Sequence, residues 1–543
     1  MTDLRKIKRL ENRIAPDGCL LCVIFCLLLV VCFPFPCLAQ SDFSLRIAPI
    51  LQAPLNIQQF NPGFGAALSL DWAFLPFAKK FHMGVSAGGD FTSLAVVTGS
   101  SMNLLEAEME LFLRWRPFNR WAFRAGGGAG VYSLGGARDW KILGRGALGA
   151  EFYISPSFSL YAEGAYTYRV FATAQPLSTI GAALGMRLNL SEIMGGKTRV
   201  QVEKTEQYRV FPVSWAWYEE NPVATVKITN GEPNDITGVN LSFFMDSYMS
   251  QAWTFADIGR IAPGESVEVP VTALFNEAML NLIETVNANG TIQVQYRSLG
   301  AKKETAFPVQ MPIFHRNTFS WDDDRRAAAF VSPRDSSARL FARYVAGAVE
   351  GWEEAGGRLS APKNVRYAAA MFEALRLYGI NYVVVPATSF ARVQSDESVL
   401  DNVSYPYQAL YYRGGDCSYL AILFCSLLEA LDIETAFITI PGHIYAAFEV
   451  GDNNWMAGSG DIIVRDGKRW LPVEITVPGE GFTRAWRIGA RQWRNTGAQA
   501  DLFPIRECWE IYPPVTVPAS GDHLPDMPAR SGIVKAMETE LGR

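Results

Sequence analysis

Between residues 43 and 190 apolar and polar residues alternate with period 2, in successive segments of about ten residues, and this pattern restricts the fold more than any other feature. In segment 105–116 one face carries Leu105, Ala107, Met109, Leu111, Leu113 and Trp115. The other carries Glu106, Glu108, Glu110, Phe112, Arg114 and Arg116. Segment 158–171 repeats the scheme, with Leu160, Ala162, Gly164, Tyr166, Tyr168 and Val170 against Ser159, Tyr161, Glu163, Ala165, Thr167 and Arg169. Successive side chains of a strand point to opposite faces, so each segment reads as a β-strand with one apolar face. A soluble sheet turns that face to a core and its polar face to water. A membrane barrel turns it to lipid and keeps the polar face in the lumen. Alternation alone leaves both open.

Eight strands are predicted, near 43–53, 63–74, 81–91, 104–116, 121–132, 145–154, 158–171 and 179–190, with gaps of about 9, 6, 12, 4, 12, 3 and 7 residues. The strand number is even, longer and shorter connections alternate, and aromatic residues (Trp72, Phe74, Phe77; Trp115, Phe118, Trp121) gather beside short turns, as an interfacial girdle does. On these features the segment resembles the small eight-stranded outer-membrane β-barrel superfamily, by pattern and without a diagnostic motif. The resemblance implies an anchor in outer-membrane lipid. A lumen this narrow is filled by side chains, so transport is not implied. Strands of an even-numbered barrel start and finish at one end; with the short turns periplasmic, everything after residue 190 lies in the periplasm.

The residues ahead of the barrel read as an export signal. Arg5, Lys6, Lys8 and Arg9 form a basic start, 19–33 is apolar, Pro34 and Pro36 break the run, and Cys37-Leu38-Ala39 suits cleavage after Ala39. A retained anchor helix or a lipoprotein signal at Cys32 or Cys37 is the alternative. Five of the eight cysteines lie in this segment, leaving Cys417, Cys425 and Cys508, too few for a disulfide-built scaffold. No later stretch approaches the ~20 apolar residues of a spanning helix, which excludes a polytopic helical membrane protein. A net charge of −5 supplies no basic footprint, so no nucleic-acid partner is expected.

Residues 195–315 change character. Short β-rich runs (224–229, 239–244, 267–271, 291–296) are separated by turn signals such as Asn230-Gly231 and Pro263-Gly264, the spacing of a β-sandwich. The run Ile261-Ala-Pro-Gly-Glu-Ser-Val-Glu-Val-Pro270 resembles the turn and strand of bacterial immunoglobulin-like spacer modules. Neither His nor Cys occurs in 195–314, so the segment is expected to space or contact, without chemistry of its own.

Chemistry is expected at Cys417. Arg413-Gly-Gly-Asp-Cys417 opens a stretch, 418–431, that is apolar nearly all round, as a helix buried in a domain core is. Gly414-Gly415 permits a tight turn, and Asp416 is a plausible N-cap. Cys417 then lies in the first helical turn, where unpaired N–H groups and the macrodipole favour a thiolate. A thiolate nucleophile needs an imidazole partner, and the imidazole an orienting acceptor. His443, at the start of a β-rich run after Pro441-Gly442, is the one His between 316 and 522. Glu449 lies six residues along the same strand, about 20 Å away, and cannot reach. Glu474, on a later strand (470–476), can. Cys425 reads as a packed hydrophobe, with pairing to Cys508 as an alternative, and no ligand spacing supports zinc at Cys417, His443 and Cys508.

This order, Gly-Asp-Cys heading a buried helix, then Gly442-His443, then Trp470-Leu-Pro-Val-Glu474, resembles the transglutaminase-like superfamily with its papain-type Cys-His-acid core. The likeness covers about 365–495 and includes Asn381-Tyr382-Val383, Tyr405-Pro406, Leu427-Leu428-Glu-Ala-Leu431 and Gly481-Phe-Thr-Arg-Ala-Trp486. It implies that Cys417 is the nucleophile, His443 the base and then acid, and Glu474 the orienter of His443. The chain departs from the family twice: most members have Asp where Glu474 stands, and many bacterial members have Gln, a possible oxyanion donor, where Ser404 stands.

The expected organisation is therefore a signal peptide (1–39), an outer-membrane-type eight-stranded antiparallel β-barrel (40–194), an immunoglobulin-like β-sandwich spacer (195–315), an α+β transglutaminase-like domain (316–515) and a flexible tail (516–543). The expected function is that of an exported cysteine-dependent amidase, peptidase or acyltransferase. It would act through a Cys417 thioester on periplasmic peptides, proteins or cell-wall strands, with hydrolysis favoured over cross-linking and no cofactor or metal. A catalytically silent binding or scaffold module tethered to the outer membrane is the rival reading.

Overall fold

The computed structural model describes residues 42–542 apart from 58–59, 79, 98, 100, 136–138, 171–174, 194–197, 384–398, 452–453, 457 and 518–526. The expected export signal lies outside the described residues. The N-terminal strands are β1 (Asp42–Pro54), β2 (Phe60–Ala78), β3 (Phe81–Val96), β4 (Ser101–Trp115), β5 (Trp121–Leu134), β6 (Lys141–Tyr153), β7 (Phe158–Arg169) and β8 (Leu177–Asn189). Each pairs antiparallel with the next, and β8 returns to β1, with Leu45 opposite Leu188 and Leu51 opposite Ala182, so the sheet closes as a barrel without edges.

Closure decides what the alternation left open. On β4 Glu106, Glu110, Phe112 and Arg114 are buried, while Leu105, Met109, Leu111, Leu113 and Trp115 are exposed. The lumen is an ion-pair network. Arg46, Arg124 and Arg145 converge on Glu163 at 2.6, 3.2 and 3.0 Å. Arg124 also meets Glu110 at 3.0 Å, Arg187 meets Glu151 at 3.1 Å, and the Arg169 guanidinium clamps Glu106. The lumen lacks a Cβ at Gly126, where one would stand 3.1 Å from Glu110 Oε2 and 3.2 Å from Arg124 Nη1. A lumen pocket beside Asp90, Arg145 and Glu163 holds about 20 Å³, room for about one water. Arginine clusters inside and leucine outside invert the polarity of a water-soluble barrel. An outward belt of this extent is stable only against an apolar medium.

Aromatic rings band one end of the barrel: Phe43 stacks on Trp72 (5.6 Å), Phe81 on Trp115 (6.0 Å), and Trp121 meets Phe152 (5.0 Å). The expected strong alternation of connection lengths is not observed. The strands run longer than the sequence pattern suggests, leaving connections of 5, 2, 4, 5, 6, 4 and 7 residues. Hydrogen bonding to both neighbours carries a strand past the point where its side-chain alternation fades.

Seven further strands follow: β9 (Val200–Gln207), β10 (Ala224–Asn230), β11 (Ile236–Phe244), β12 (Trp253–Ile261), β13 (Ser266–Val271), β14 (Val286–Ser298) and β15 (Ala301–Ile313). They form two sheets, ordered β13-β10-β9 and β12-β11-β14-β15, which share one core including Val226, Ile228, Leu241, Phe243, Ile292 and Val294. The Asn230-Gly231 turn is closed by the buried Asn230 side chain, which donates to the carbonyls of Asn234 and Ile261, both at 2.9 Å. Polar contacts join this unit to the banded end of the barrel: Arg199 to Asp42 (3.0 Å), Lys303 to Glu192 (2.9 Å) and Asn119 to Asp235 (2.8 Å).

The C-terminal third is α+β. Its main helices are α1 (Ser336–Glu354), α2 (Lys363–Tyr378), α3 (Pro406–Tyr412), α4 (Cys417–Glu429), α5 (Phe482–Thr496) and α6 (Arg530–Leu541). Its sheet comprises β16 (Thr435–Ile440), β17 (His443–Glu449), β18 (Ile463–Arg465), β19 (Lys468–Val473) and β20 (Asp501–Pro504), in the order β18-β19-β17-β16-β20 and antiparallel throughout. Helix α4, buried nearly all round as its composition predicts, packs with Phe437, Ile444 and Phe448 in the main core. Helix α5 closes on β19 because Gly489 has no Cβ: one there would stand 3.2 Å from Glu474 N and Pro472 O.

The expected flexible tail is corrected over its last part. Residues 530–541 form α6, which buries Ile533 and Met537 fully against the core, and Glu540 accepts from Thr483 N (2.9 Å) at the start of α5. Two apolar residues spaced i and i+4 suffice to dock a short helix, a signal easily lost beside the Pro- and Gly-rich residues that precede it.

Candidate active site

Local sequence explains how Cys417 reaches its place. Gly414 and Gly415 pair in parallel with Asn381 and Tyr382, and a Cβ at Gly415 would lie 2.6 Å from the Tyr419 side chain. Asp416 then caps α4, its Oδ1 accepting from Ser418 N (3.0 Å), Tyr419 N (3.1 Å) and Ser418 Oγ (2.7 Å). Cys417 is the first residue of α4 and only 4% exposed, and its sulfur receives the backbone N–H of Ile444.

His443 enters from the opposite side. A two-residue turn, with Gly442 at φ 77°, joins β16 to β17, so that His443 begins β17 next to Ile444. Its Nε2 lies 2.7 Å from Glu474 Oε2. Glu474 follows directly on β19 and is 1% exposed, its Oε1 accepting from Thr476 N (3.0 Å) and Thr476 Oγ1 (2.6 Å). Burial alone would raise this carboxyl. The hydrogen bond and charge of His443, with the two Thr476 donors, hold it below the ordinary value instead. The imidazole ring stacks on Tyr445 (centroids 5.7 Å apart), which limits its rotation.

The three sequence-predicted residues thus converge on the N-terminus of α4. Glu449 lies at the far end of β17, where Asn364 donates to its carbonyl at 2.9 Å. One expectation is reversed. The helix terminus was expected to depress the thiol pKa, but burial, and next the neighbouring Asp416 carboxylate, push Cys417 up to about 12. Cys425 and Cys508 are free and buried, not paired.

The sequence reading missed Thr476, for which Glu-x-Thr at a strand end is the available signal, and the Ile444 N–H, which has none. It also missed the second oxygen of Asp416. Oδ2 is buried without a hydrogen-bond partner, and burial pushes this carboxyl above the ordinary value. Gln408, near Ser404, is occupied: its Oε1 accepts from Tyr405 N (2.9 Å) and Asn317 Nδ2 (2.7 Å). Among the described residues no group of three or more His, Cys, Asp or Glu side chains is placed to hold a metal ion. A separate cleft of about 650 Å³ lies between residues 213–217 and 509–516, lined by Trp215, Trp217, Trp509 and Tyr512, and contains none of the three residues.

No protein-family model matches the sequence. No curated protein matches it either. Over 27% of its length the chain is similar to solved small β-barrel structures. Neisserial surface protein A is 12% identical and covered over 96% of its length, with a TM-score of 0.22. The N-terminal β-barrel domain of Pseudomonas aeruginosa OprF is 12% identical and covered over 100%, with a TM-score of 0.19. Ail, the attachment invasion locus protein of Yersinia pestis, is 16% identical and covered over 97%, with a TM-score of 0.20.

Proposed function

We propose that this chain is an outer-membrane-anchored thiol acyltransferase or hydrolase of transglutaminase-like type, its sandwich an immunoglobulin-like spacer and its last domain in the periplasm. The observation that carries the reading is the His443–Glu474 pair at 2.7 Å, its Glu474 end buried and His443 next to Ile444, whose N–H reaches Cys417 at the helix terminus. Lipid anchoring is supported by the apolar outer belt over a charged lumen. The contacts of Asp42, Asn119 and Glu192 with the sandwich support a single-sided arrangement, since all three lie at the end of the barrel where its chain enters and leaves, Asn119 in the turn between β4 and β5.

In the proposed reaction His443 Nδ1 takes the Cys417 proton, and the sulfur attacks an amide carbonyl. The imidazolium then protonates the leaving nitrogen as the C–N bond breaks, leaving a thioester. Water, or an amine, attacks that thioester with His443 again as base, and the thiol is restored. Glu474 fixes the tautomer and stabilises the imidazolium. The Cys417 backbone N–H, at the first position of a helix, is the donor proposed for the developing oxyanion. Hydrolysis of envelope peptides is favoured over cross-linking by likeness alone.

One observation favours the silent binding module: the Cys417 thiol is only 4% exposed, and that burial disfavours its thiolate. Site-resolved alkylation of Cys417 by iodoacetamide against pH, in the full chain in detergent, decides between the two. A reactive plateau below pH 8 that disappears in His443→Ala supports the enzyme. An ordinary thiol profile, indifferent to His443, supports the silent module.

A further inference from the structure

Asp416 does more than cap a helix. Its Oδ1 already accepts three hydrogen bonds, from Ser418 N, Ser418 Oγ and Tyr419 N, at 3.0, 2.7 and 3.1 Å. Oδ2 takes none and is sealed from solvent, in a residue only 3% exposed. A buried carboxylate oxygen without a donor is costly, and a neutral cap would supply the same Oδ1 bonds without burying a charge. The titratable groups that act on this carboxylate or its neighbouring sulfur are His443 from β17, Glu474 from beyond β19, and the neutral phenols Tyr382, from the pair with Gly415, and Tyr419, on α4 itself.

We propose that Asp416 is a positioning residue for charge: its buried carboxylate, adjacent to Cys417 and facing His443, holds the resting sulfur as a thiol and favours the imidazolium once the proton has moved. The inference rests on the proposed thiol chemistry. A negative charge beside the sulfur opposes the thiolate, and the same charge beside the imidazole stabilises its protonated form, so both limbs of the pair's pH profile stand higher than they would beside a neutral cap. In an oxidising compartment this keeps the nucleophile out of its oxidisable form until the proton is handed to His443.

Asp416→Asn replaces the unpartnered Oδ2 by an amide nitrogen and breaks no hydrogen bond. Asp416→Ser is a second neutral cap of different shape, and Asp416→Glu keeps the charge. Each is measured in the full chain by iodoacetamide alkylation of Cys417 from pH 5 to 10, resolved by peptide mass spectrometry. Both neutral variants are expected to lower the Cys417 midpoint by about one pH unit. On the limb below the midpoint, tenfold more thiolate, offset by a nucleophilicity that follows thiol pKa with a slope of about 0.4–0.5, gives a rate about threefold higher at the same pH. Asp416→Glu should stay near wild type. Unchanged profiles in the folded Asn and Ser variants, with wild-type reactivity still abolished by His443→Ala, would overturn this inference alone. Indifference of the wild-type profile to His443→Ala would overturn the proposed function beneath it.

Discussion

Replacing Glu474 with Gln changes one atom type at a buried site, and its consequence follows from the hydrogen bonds already there. Oε1 accepts from both Thr476 donors, at 3.0 and 2.6 Å, while Oε2 faces His443 Nε2 at 2.7 Å. A glutamine keeps its carbonyl oxygen on the two donors and turns its NH2 towards Nε2. That nitrogen must then be an acceptor, which places the ring proton on Nδ1, where the proposed reaction brings the Cys417 proton. The charge that stabilises the imidazolium disappears as well. A hydrogen bond to a charged group is worth about 1.5–3 kcal/mol, roughly a 10- to 150-fold loss of the thiolate–imidazolium state. In a serine-protease triad the equivalent wrong tautomer lowers kcat by about 10⁴. Cys417 alkylation at pH 7 should therefore fall at least tenfold in Glu474→Gln, and turnover, once a substrate is in hand, by about 10² to 10⁴. Glu474→Asp, which retains the charge at shorter reach, should retain more reactivity than Gln. Alkylation within threefold of wild type in a folded Glu474→Gln protein would refute the orienting role.

Leu111→Arg, on the outward face of β4, should cost about 2–4 kcal/mol and abolish heat-modifiable mobility of the barrel in detergent, whereas a water-facing barrel would tolerate it. Ile533→Ala should destabilise the C-terminal domain by about 2–5 kcal/mol in urea titration, because α6 is part of the core; a change below 0.5 kcal/mol would return residues 530–541 to a tail. Glu474 has a folded pKa below its ordinary 4.5, so its stabilising contribution is present above that value and is lost as pH falls through the lower, folded value. Thermal melting should show that acid loss in wild type and a smaller one in Glu474→Gln.

Period-2 alternation is a local property, and it assigned the two faces of β4 and β7 correctly residue by residue. The start of α4 was equally legible, because two glycines, a capping Asp and a continuous apolar run each state their role over a few residues. Nothing local says which face of a strand meets lipid, since an apolar stripe is the same pattern pointing in or out. That was decided when β8 paired with β1 and Arg46, Arg124 and Arg145 were brought around Glu163, residues far apart in sequence. Connection lengths depended on how far neighbours extended one another's hydrogen bonding. The docking of α6 depended on a core assembled from helices more than a hundred residues upstream. At the site, the sequence alone named Cys417, His443 and Glu474 from residue type and order. Only the tertiary structure buried the sulfur against Ile444 and beside an unpartnered carboxylate oxygen, because desolvation is a property of everything packed around a group and not of its neighbours in the chain.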